Sequence, residues 1–171
     1  MNNYRDAREK RIIRPQKAKA GHRFDIWVTS ASDKWQRKCF VQLRRYLAIE
    51  CDVGMLMDES DECWRDIEIF SLTDYFFDEK RYENRQWLIG CVAFQIHEKN
   101  VVELTYCWIH PFWRNKNLLK QSWSDFINRY GFFYVSYPRS NAMEGFLKAV
   151  NYVEVVKKAE SKSSMQQITI S

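Results

Sequence analysis

The stretch that decides the fold of this chain is residues 101–123, VVELTYCWIHPFWRNKNLLKQSW. Its first nine residues are mostly β-branched or aromatic and contain no Gly or Pro, which predicts a strand buried on both faces. Pro111 ends that strand, and beyond Arg114 the apolar residues recur at helical spacing. A sharp turn from strand to helix leaves backbone N–H groups unpaired at the helix start, so we expect an anion site there.

The segments before this stretch predict alternating strands and helices. Residues 24–29 read as the first strand. Ser30 or Ser32 is suited to cap a helix that extends to about Glu50, because the hydroxyl accepts from the first free amides. This order places one helix between the first strand and the rest of the sheet.

The middle of the chain has a weaker pattern. Residues 67–72 are compatible with a strand, and residues 72–77 with a short helix or a loop. Residues 87–97 alternate in polarity as a strand does, and Gly90 within them indicates a bulge or a close backbone approach. Residues 98–100 then form a hairpin turn into the strand of residues 101–109.

The chain beyond residue 113 predicts a β-α-β crossover. The helix from Arg114 ends near Gly131, which suits the position after a helix terminus. Residues 132–137 are apolar and predict a central strand parallel to that of residues 101–109. Ser140 is placed to cap the next helix. Two final segments predict a C-terminal β-hairpin, residues 152–156 and 165–170.

Composition limits the class of protein. The chain has 171 residues, 46% of them hydrophobic. We predict one domain over residues 22–171, preceded by a basic arm over residues 1–21. No apolar run approaches the roughly 20 residues of a membrane span, and the basic start lacks the apolar centre of a secretion signal. We therefore expect a cytoplasmic protein that makes no contact with membranes.

The cysteines predict neither disulfides nor a metal site. There are five of them, an odd number without a C-x-x-C pair or a histidine at ligand spacing. We expect reduced, mostly buried thiols and no bound metal.

The net charge of +5 is unevenly distributed. Residues 51–85 hold eleven acidic and four basic residues, so this segment carries −7 and the remainder +12. The segment is either a solvated acidic face or the border of a pocket that attracts a cationic amine. The basic arm is either a site that contacts nucleic acid or another acidic surface, or a tail that lies on the domain.

Two spacings around the decisive stretch resemble the GNAT superfamily of acyl-CoA-dependent N-acyltransferases. In that family a strand ends in a hydrophobic-x-Pro step, and an Arg/Gln-x-x-Gly-x-Gly/Ala loop follows whose amides hold the CoA pyrophosphate. Here residues 109–111 are Ile-His-Pro and residues 114–119 are Arg-Asn-Lys-Asn-Leu-Leu. The histone-acetylating branch carries a Glu eleven residues before the Arg/Gln, which is where Glu103 stands relative to Arg114.

The resemblance implies an α/β (α+β) fold with a mixed central sheet flanked by helices, splayed parallel central strands and a C-terminal β-hairpin. It implies transfer of an acetyl group from acetyl-CoA to a primary amine, on a protein lysine or a small cationic acceptor. Glu103 would be the base, with a pKa that burial raises toward the working range. Ser140 is a candidate acid for the departing thiolate. The implied cofactor-binding residues are Cys107, Trp108, Ile109, Arg114, Asn115, Lys116, Asn117, Leu118 and Leu119.

Three positions depart from the family pattern and leave a second function open. Asn117 and Leu119 stand where the loop has glycine or alanine, and Leu147 stands where many members have a tyrosine acid. Asn is the non-glycine residue that best tolerates a positive φ. The alternative is a GNAT-like domain that lacks catalysis and binds nucleic acid or a protein partner.

Overall fold

The computed structural model describes residues 14–52, 57–79, 82–98 and 101–152. In these residues the protein is a mixed α/β structure with six strands in one sheet and three α-helices. None of these helices is both long and apolar enough to cross a membrane. In chain order the elements are β1 (Gln16–Lys17), β2 (Trp27–Val28), α1 (Lys34–Cys51), β3 (Ile67–Asp78), β4 (Glu83–Ile96), β5 (Val102–Ile109), a 3-10 turn (Pro111–Trp113), α2 (Leu118–Tyr130), β6 (Tyr134–Val135) and α3 (Asn141–Ala149).

The sheet runs in the order β2-β3-β4-β5-β6, and β1 pairs with β4. Every pair of neighbours is antiparallel except β5 and β6, which are parallel. β4 lies at the centre because it pairs with β3 along nearly its whole length and with β5 and β1 on its other edge.

Two hydrophobic cores lie on opposite faces of the sheet. On one face α1 contributes Phe40 and Leu43, both fully buried, to a core with Trp108 of β5. On the other face Phe126 of α2 and Leu147 of α3 pack against β3, β4 and β5. This arrangement follows from strand alternation, since successive side chains point to opposite faces.

The β3–β4 hairpin is longer than the sequence predicted. The prediction of a short helix or loop over residues 72–77 was wrong, since these residues continue β3 to Asp78. Their partners in β4 begin at Glu83, ahead of the predicted start at residue 87. The consecutive aromatic residues in this segment suit a strand because the two faces of the hairpin receive them alternately.

Gly90 confirms both predictions made for it. The register of β3 and β4 shifts between Leu72 and Thr73, opposite the segment that contains Gly90. A Cβ atom added to Gly90 would lie 2.7 Å from the backbone oxygen of Trp108. Glycine therefore lets β4 and β5 approach each other closely at this point.

The crossover from β5 to β6 has the predicted direction but shorter elements. α2 begins at Leu118, after the 3-10 turn, and ends at Tyr130, followed by Gly131 with φ of 67°. β6 has only two residues where six were predicted, because after Val135 the chain turns away toward Ser140. Ser140 caps α3 as predicted, since its hydroxyl accepts from Met143 N at 3.2 Å.

The two ends of the chain are only partly described. Within the predicted arm, Gln16 and Lys17 form β1 and Ala18 is buried. Residues 1–13 and 153–171 lie outside the described residues, and with them most of the basic arm and the predicted C-terminal hairpin.

The cysteines are less buried than we expected. All five are free thiols, as predicted, but only Cys91 is fully buried and Cys51 is exposed. Across the described parts of the chain, no group of His, Cys, Asp and Glu side chains is placed to hold a metal ion.

Candidate functional site

β5 and β6 separate soon after they meet. Glu103 pairs with Tyr134 and Leu104 with Val135, and Ser136 N donates to Leu104 O at 2.9 Å. No later residue of β5 pairs with β6, although β5 continues to Ile109 beside β4. The edge of β5 that faces away from β4 is therefore unpaired with β6 over its second half.

Strand alternation shows which amides lie on that edge. His110 N donates to Ile89 O at 2.8 Å, so the His110 amide points toward β4. Because N–H groups alternate in direction along a strand, those of Ile109 and Cys107 point to the opposite edge. These are two of the nine residues expected to hold a cofactor.

The loop after β5 adopts left-handed backbone at two asparagines. Asn115 has φ of 62° and Asn117 has φ of 58°. Asn117 is the residue before α2 and makes no side-chain cap. The amides at the start of a helix have no partner within the helix, so those of Leu118 and Leu119 are such donors.

The guanidinium of Arg114 binds a carboxylate of α1. Its Nη1 and Nη2 lie 2.6 Å from the two carboxylate oxygens of Glu50, and its Nε donates to Ile109 O at 2.8 Å. Trp108 Nε1 also donates to Glu50, at 2.9 Å. The two-pronged pairing of guanidinium and carboxylate fixes the strand-to-helix turn against α1.

The other predicted loop residues divide between core and surface. Leu118 and Leu119 are half-buried and pack against the core beneath α2 and α3. Lys116 is exposed, and its Nζ lies 5.7 Å from the centre of the Trp113 ring. Burial raises the pKa of the Cys107 thiol to about 12, so the thiol is protonated at neutral pH. The polar group that Cys107 offers to a ligand is therefore its backbone amide.

Glu103 lies at the first paired step of β5 and β6, one residue before the last. Ser136 Oγ donates to its Oε1, and His97 Nε2 lies 2.7 Å from its Oε2. The expectation that burial raises its pKa was wrong. The hydrogen bond from Ser136 lowers the pKa of Glu103 against a smaller opposing effect of desolvation, because the strand end leaves its side chain 31% exposed.

A cavity of about 360 Å³ opens beside Glu103. We call it the β5–β6 cavity. Its lining comes from the residue after β4, the start of β5 and the residue before it, β6 and the segment that follows it, and a residue beyond the end of α3. The lining residues are His97, Val101, Glu103, Tyr134, Val135, Ser136, Tyr137, Arg139 and Tyr152.

The cavity brings Glu103 together with residues that the sequence did not single out. His97, Ser136 and Arg139 were not among the predicted site residues. The predicted parallel strands of residues 101–109 and 132–137 put Ser136 in the strand next to Glu103, but the register that brings the two together comes from the structure. Ser140 is not among the lining residues, and its hydroxyl is engaged at the start of α3.

No described residue of the acidic segment, residues 51–85, lines the β5–β6 cavity. Several of its carboxylates instead pair with basic side chains, most of them outside the segment. These ion pairs are Asp61 with Arg37, Glu59 with Lys38, Glu68 with Arg129, and Asp78 with Lys17 and Arg85.

Comparison with known proteins does not assign the chain to a family. No protein-family model matches the sequence, and no curated protein matches it. The function must therefore be argued from the geometry of the site.

Proposed function

We propose that the protein is an N-acyltransferase that moves an acyl group, most simply the acetyl group of acetyl-CoA, to a primary amine. The observation that carries this proposal is the early separation of β5 from β6. It leaves the Cys107 and Ile109 amides without a partner strand beside the start of α2. Backbone donors in such an arrangement suit the amide-rich arm, the thioester oxygen and the phosphates of an acyl-CoA.

The loop geometry supports the same proposal. Asn115 and Asn117 supply the left-handed backbone that glycine supplies in the family the sequence resembles. Leu119, which stands where that family has a small residue, packs toward the core beneath α2 and α3. A leucine that packs inward leaves its own amide and that of Leu118 available at the helix start.

Glu103 and His97 are proposed to remove the proton from the acceptor amine. An amine with a pKa near 10 is almost wholly protonated at neutral pH and cannot attack until it loses that proton. With its lowered pKa, Glu103 is ionised at neutral pH and attracts the ammonium form. His97 Nε2 donates to the ionised carboxylate and holds it in place, while the proton that Glu103 accepts leaves through the exposed side of this carboxylate. The acyl-CoA supplies the activated thioester.

Two hydroxyl groups are candidates for the acid that protonates the departing thiolate, and the first is that of Ser140. Its hydroxyl already accepts from Met143 N at the start of α3. Burial raises the pKa of Tyr152 to about 12, so this phenol keeps its proton at neutral pH and lines the cavity as a second candidate donor. Its hydroxyl currently donates to Phe133 O at 3.2 Å.

One observation favours a second function, a domain that binds a partner without catalysis. Arg114 is engaged by Glu50, so it would have to leave a two-pronged ion pair before it could reach a phosphate. In that case the basic arm of residues 1–21 would carry the contact with nucleic acid or an acidic protein.

Thermal unfolding with acyl-CoA ligands separates the two functions. A ligand at 100 times its Kd stabilises the folded protein by about 2.7 kcal/mol, so acetyl-CoA should raise the Tm clearly. ATP serves as the control, because it carries phosphates and adenine without the pantetheine arm. Incubation with acetyl-CoA and a panel of amines, read by mass spectrometry, should then show a product heavier by one acetyl group. A Tm that no acyl-CoA changes would reject the transferase and favour the binding module.

A further inference from the structure

The β5–β6 cavity holds two opposite charges that do not pair with each other. Glu103 and Arg139 both line it. In the part of the chain that the structure describes, the ion-pair partner of Glu103 is His97 and that of Arg139 is Glu144. An anionic and a cationic side chain that share a small cavity without contact are complementary to a ligand that carries both charges.

Arg139 is built into the wall of the cavity. Its side chain is only 7% exposed. Nε and Nη2 donate to Val135 O, at 3.3 and 2.7 Å, and Nη1 donates to the Tyr137 hydroxyl at 2.9 Å. The guanidinium also lies 3.9 Å from the centre of the Tyr137 ring. These contacts fix its orientation, as a preorganised anion-binding group requires.

The one carboxylate that pairs with Arg139 among the described residues belongs to Glu144. Its oxygen lies 3.5 Å from Arg139 Nη1, on a side chain that is 41% exposed, and the other contacts, Val135 O and the Tyr137 hydroxyl, are neutral. A ligand carboxylate in the cavity would add a second anionic partner for the guanidinium.

The opposite side of the cavity suits an ammonium group. The Glu103 carboxylate is held by Ser136 and remains partly exposed. The Tyr134 ring also lines the cavity, and aromatic rings attract cations through their faces. An amine without a carboxylate would enter a cavity that also contains the Arg139 cation, and a carboxylate without an amine would meet the Glu103 anion.

We propose that the β5–β6 cavity binds a small molecule that carries both an amine and a carboxylate, a free amino acid in its zwitterionic form. Glu103 contacts the ammonium group and Arg139 the carboxylate. The volume of about 360 Å³ is at the small end of ligand cavities, which suits a single amino acid. The inference rests on the proposed function in that the bound amino acid would be the acyl acceptor.

Matched ligand triplets test the proposal on the unmodified protein. Calorimetric titration compares leucine with isopentylamine and 4-methylpentanoate, and phenylalanine with phenethylamine and 3-phenylpropanoate. A third triplet, 4-aminobutyrate with propylamine and butyrate, covers a wider separation of the two charges. At least one zwitterion should bind about tenfold or more tightly than both of its partners, as expected when two charged contacts replace one. Equal affinities within all three triplets, or no saturable binding of any of these ligands, would overturn it.

Two substitutions assign the contacts. Arg139→Gln should abolish the tighter binding of the zwitterion relative to the amine. Glu103→Gln should abolish its tighter binding relative to the carboxylate. Arg65→Gln and Glu62→Gln remove the same charges at exposed positions outside the cavity and should change no affinity. A folded Arg139→Gln variant that keeps the full preference for the zwitterion over the amine would contradict the assignment.

The titrations use no acetyl-CoA, so they separate this inference from the proposed function. Zwitterion binding without acetyl transfer would reject the transferase and leave the amino-acid site standing. Acetyl transfer at equal rates to amines with and without a carboxylate would reject the amino-acid site and leave the transferase standing.

Discussion

Glu103 is both the proposed base and a paired residue of the central sheet. It stands at the first paired step of β5 and β6, and Ser136 of the neighbouring chain segment donates to it. A carboxylate held in this way stays charged at neutral pH, so its first role is to attract and orient a cation. Proton removal then depends on its contact with His97.

The lowered pKa of Glu103 predicts a specific pH dependence of stability. A carboxyl group whose pKa is lower in the folded than in the unfolded state stabilises the fold above its unfolded pKa, and this contribution disappears as the pH falls through the folded pKa. The advantage of the wild type over Glu103→Gln in free energy of unfolding should therefore be larger at about pH 7 than at about pH 3. Urea denaturation at both pH values measures it.

The Ser136→Ala background provides the control for that experiment. Ser136 supplies the largest cause of the shift, so its removal should shrink the pH-dependent part of the Glu103→Gln effect. A Glu103→Gln effect that is the same at both pH values in the wild-type background would contradict the assignment.

At the scale of secondary-structure elements, the glycines of β4 and α3 differ in the space available for a Cβ atom. Gly90 of β4 has the Trp108 backbone oxygen where a Cβ atom would lie, whereas Gly145 of α3 has open space there. Gly90→Ala should destabilise the protein by about 1–3 kcal/mol because β4 and β5 would have to move apart. Gly145→Ala should stabilise it by about 0.5–1 kcal/mol, since alanine favours a helix interior.

Urea denaturation of both variants tests this pair of predictions. The two substitutions add the same methyl group, so the sign of the effect reports the backbone environment alone. A Gly90→Ala variant as stable as the wild type would show that the close approach of β4 and β5 is wrongly placed, and destabilisation by Gly145→Ala would contradict the open space at that helix position.

Elements with a strong local pattern could be predicted from the sequence, and those set by long-range contacts could not. The strand of residues 101–109, the caps at Ser140 and Gly131 and the parallel direction of β6 follow from residue type and spacing. The length of the β3–β4 hairpin depends on cross-strand pairing between residues 73–78 and 83–88, which a short window does not reveal.

The site was predicted only in part, because its residues also meet through long-range contacts. Glu103 was singled out by its spacing from Arg114, but its partners His97 and Ser136 come from other segments and meet it only in the folded sheet. The lowered pKa of Glu103 depends on these partners and was therefore predicted with the wrong sign. The engagement of Arg114 by Glu50 joins residues 64 positions apart and had no signal in the sequence.

At the scale of the whole molecule, the Glu50–Arg114 pair connects the two faces of the sheet. Glu50 lies near the end of α1 on one face, and Arg114 lies in the turn that leads to α2 on the other. The Glu50 side chain is only 19% exposed and is contacted by both guanidinium nitrogens at 2.6 Å, so the pair should matter more than a surface pair.

A double-mutant cycle measures that connection. Glu50→Gln and Arg114→Gln should show a coupling energy of about 1–2 kcal/mol in urea denaturation. The exposed pair Lys38–Glu59, also anchored on α1 with its atoms 3.8 Å apart, is the matched control and should couple by less than about 0.5 kcal/mol. Equal coupling in the two pairs would mean that Arg114 does not anchor the turn.

The separation of β5 from β6 is the central claim, and amide chemical shifts under titration with acetyl-CoA test it most directly. The account predicts saturable shifts of the Cys107, Ile109, Leu118 and Leu119 amides, while the amides of residues 73–78 at the far end of the β3–β4 hairpin stay unchanged. Unchanged Cys107 and Ile109 amides at acetyl-CoA concentrations that shift residues elsewhere would contradict it.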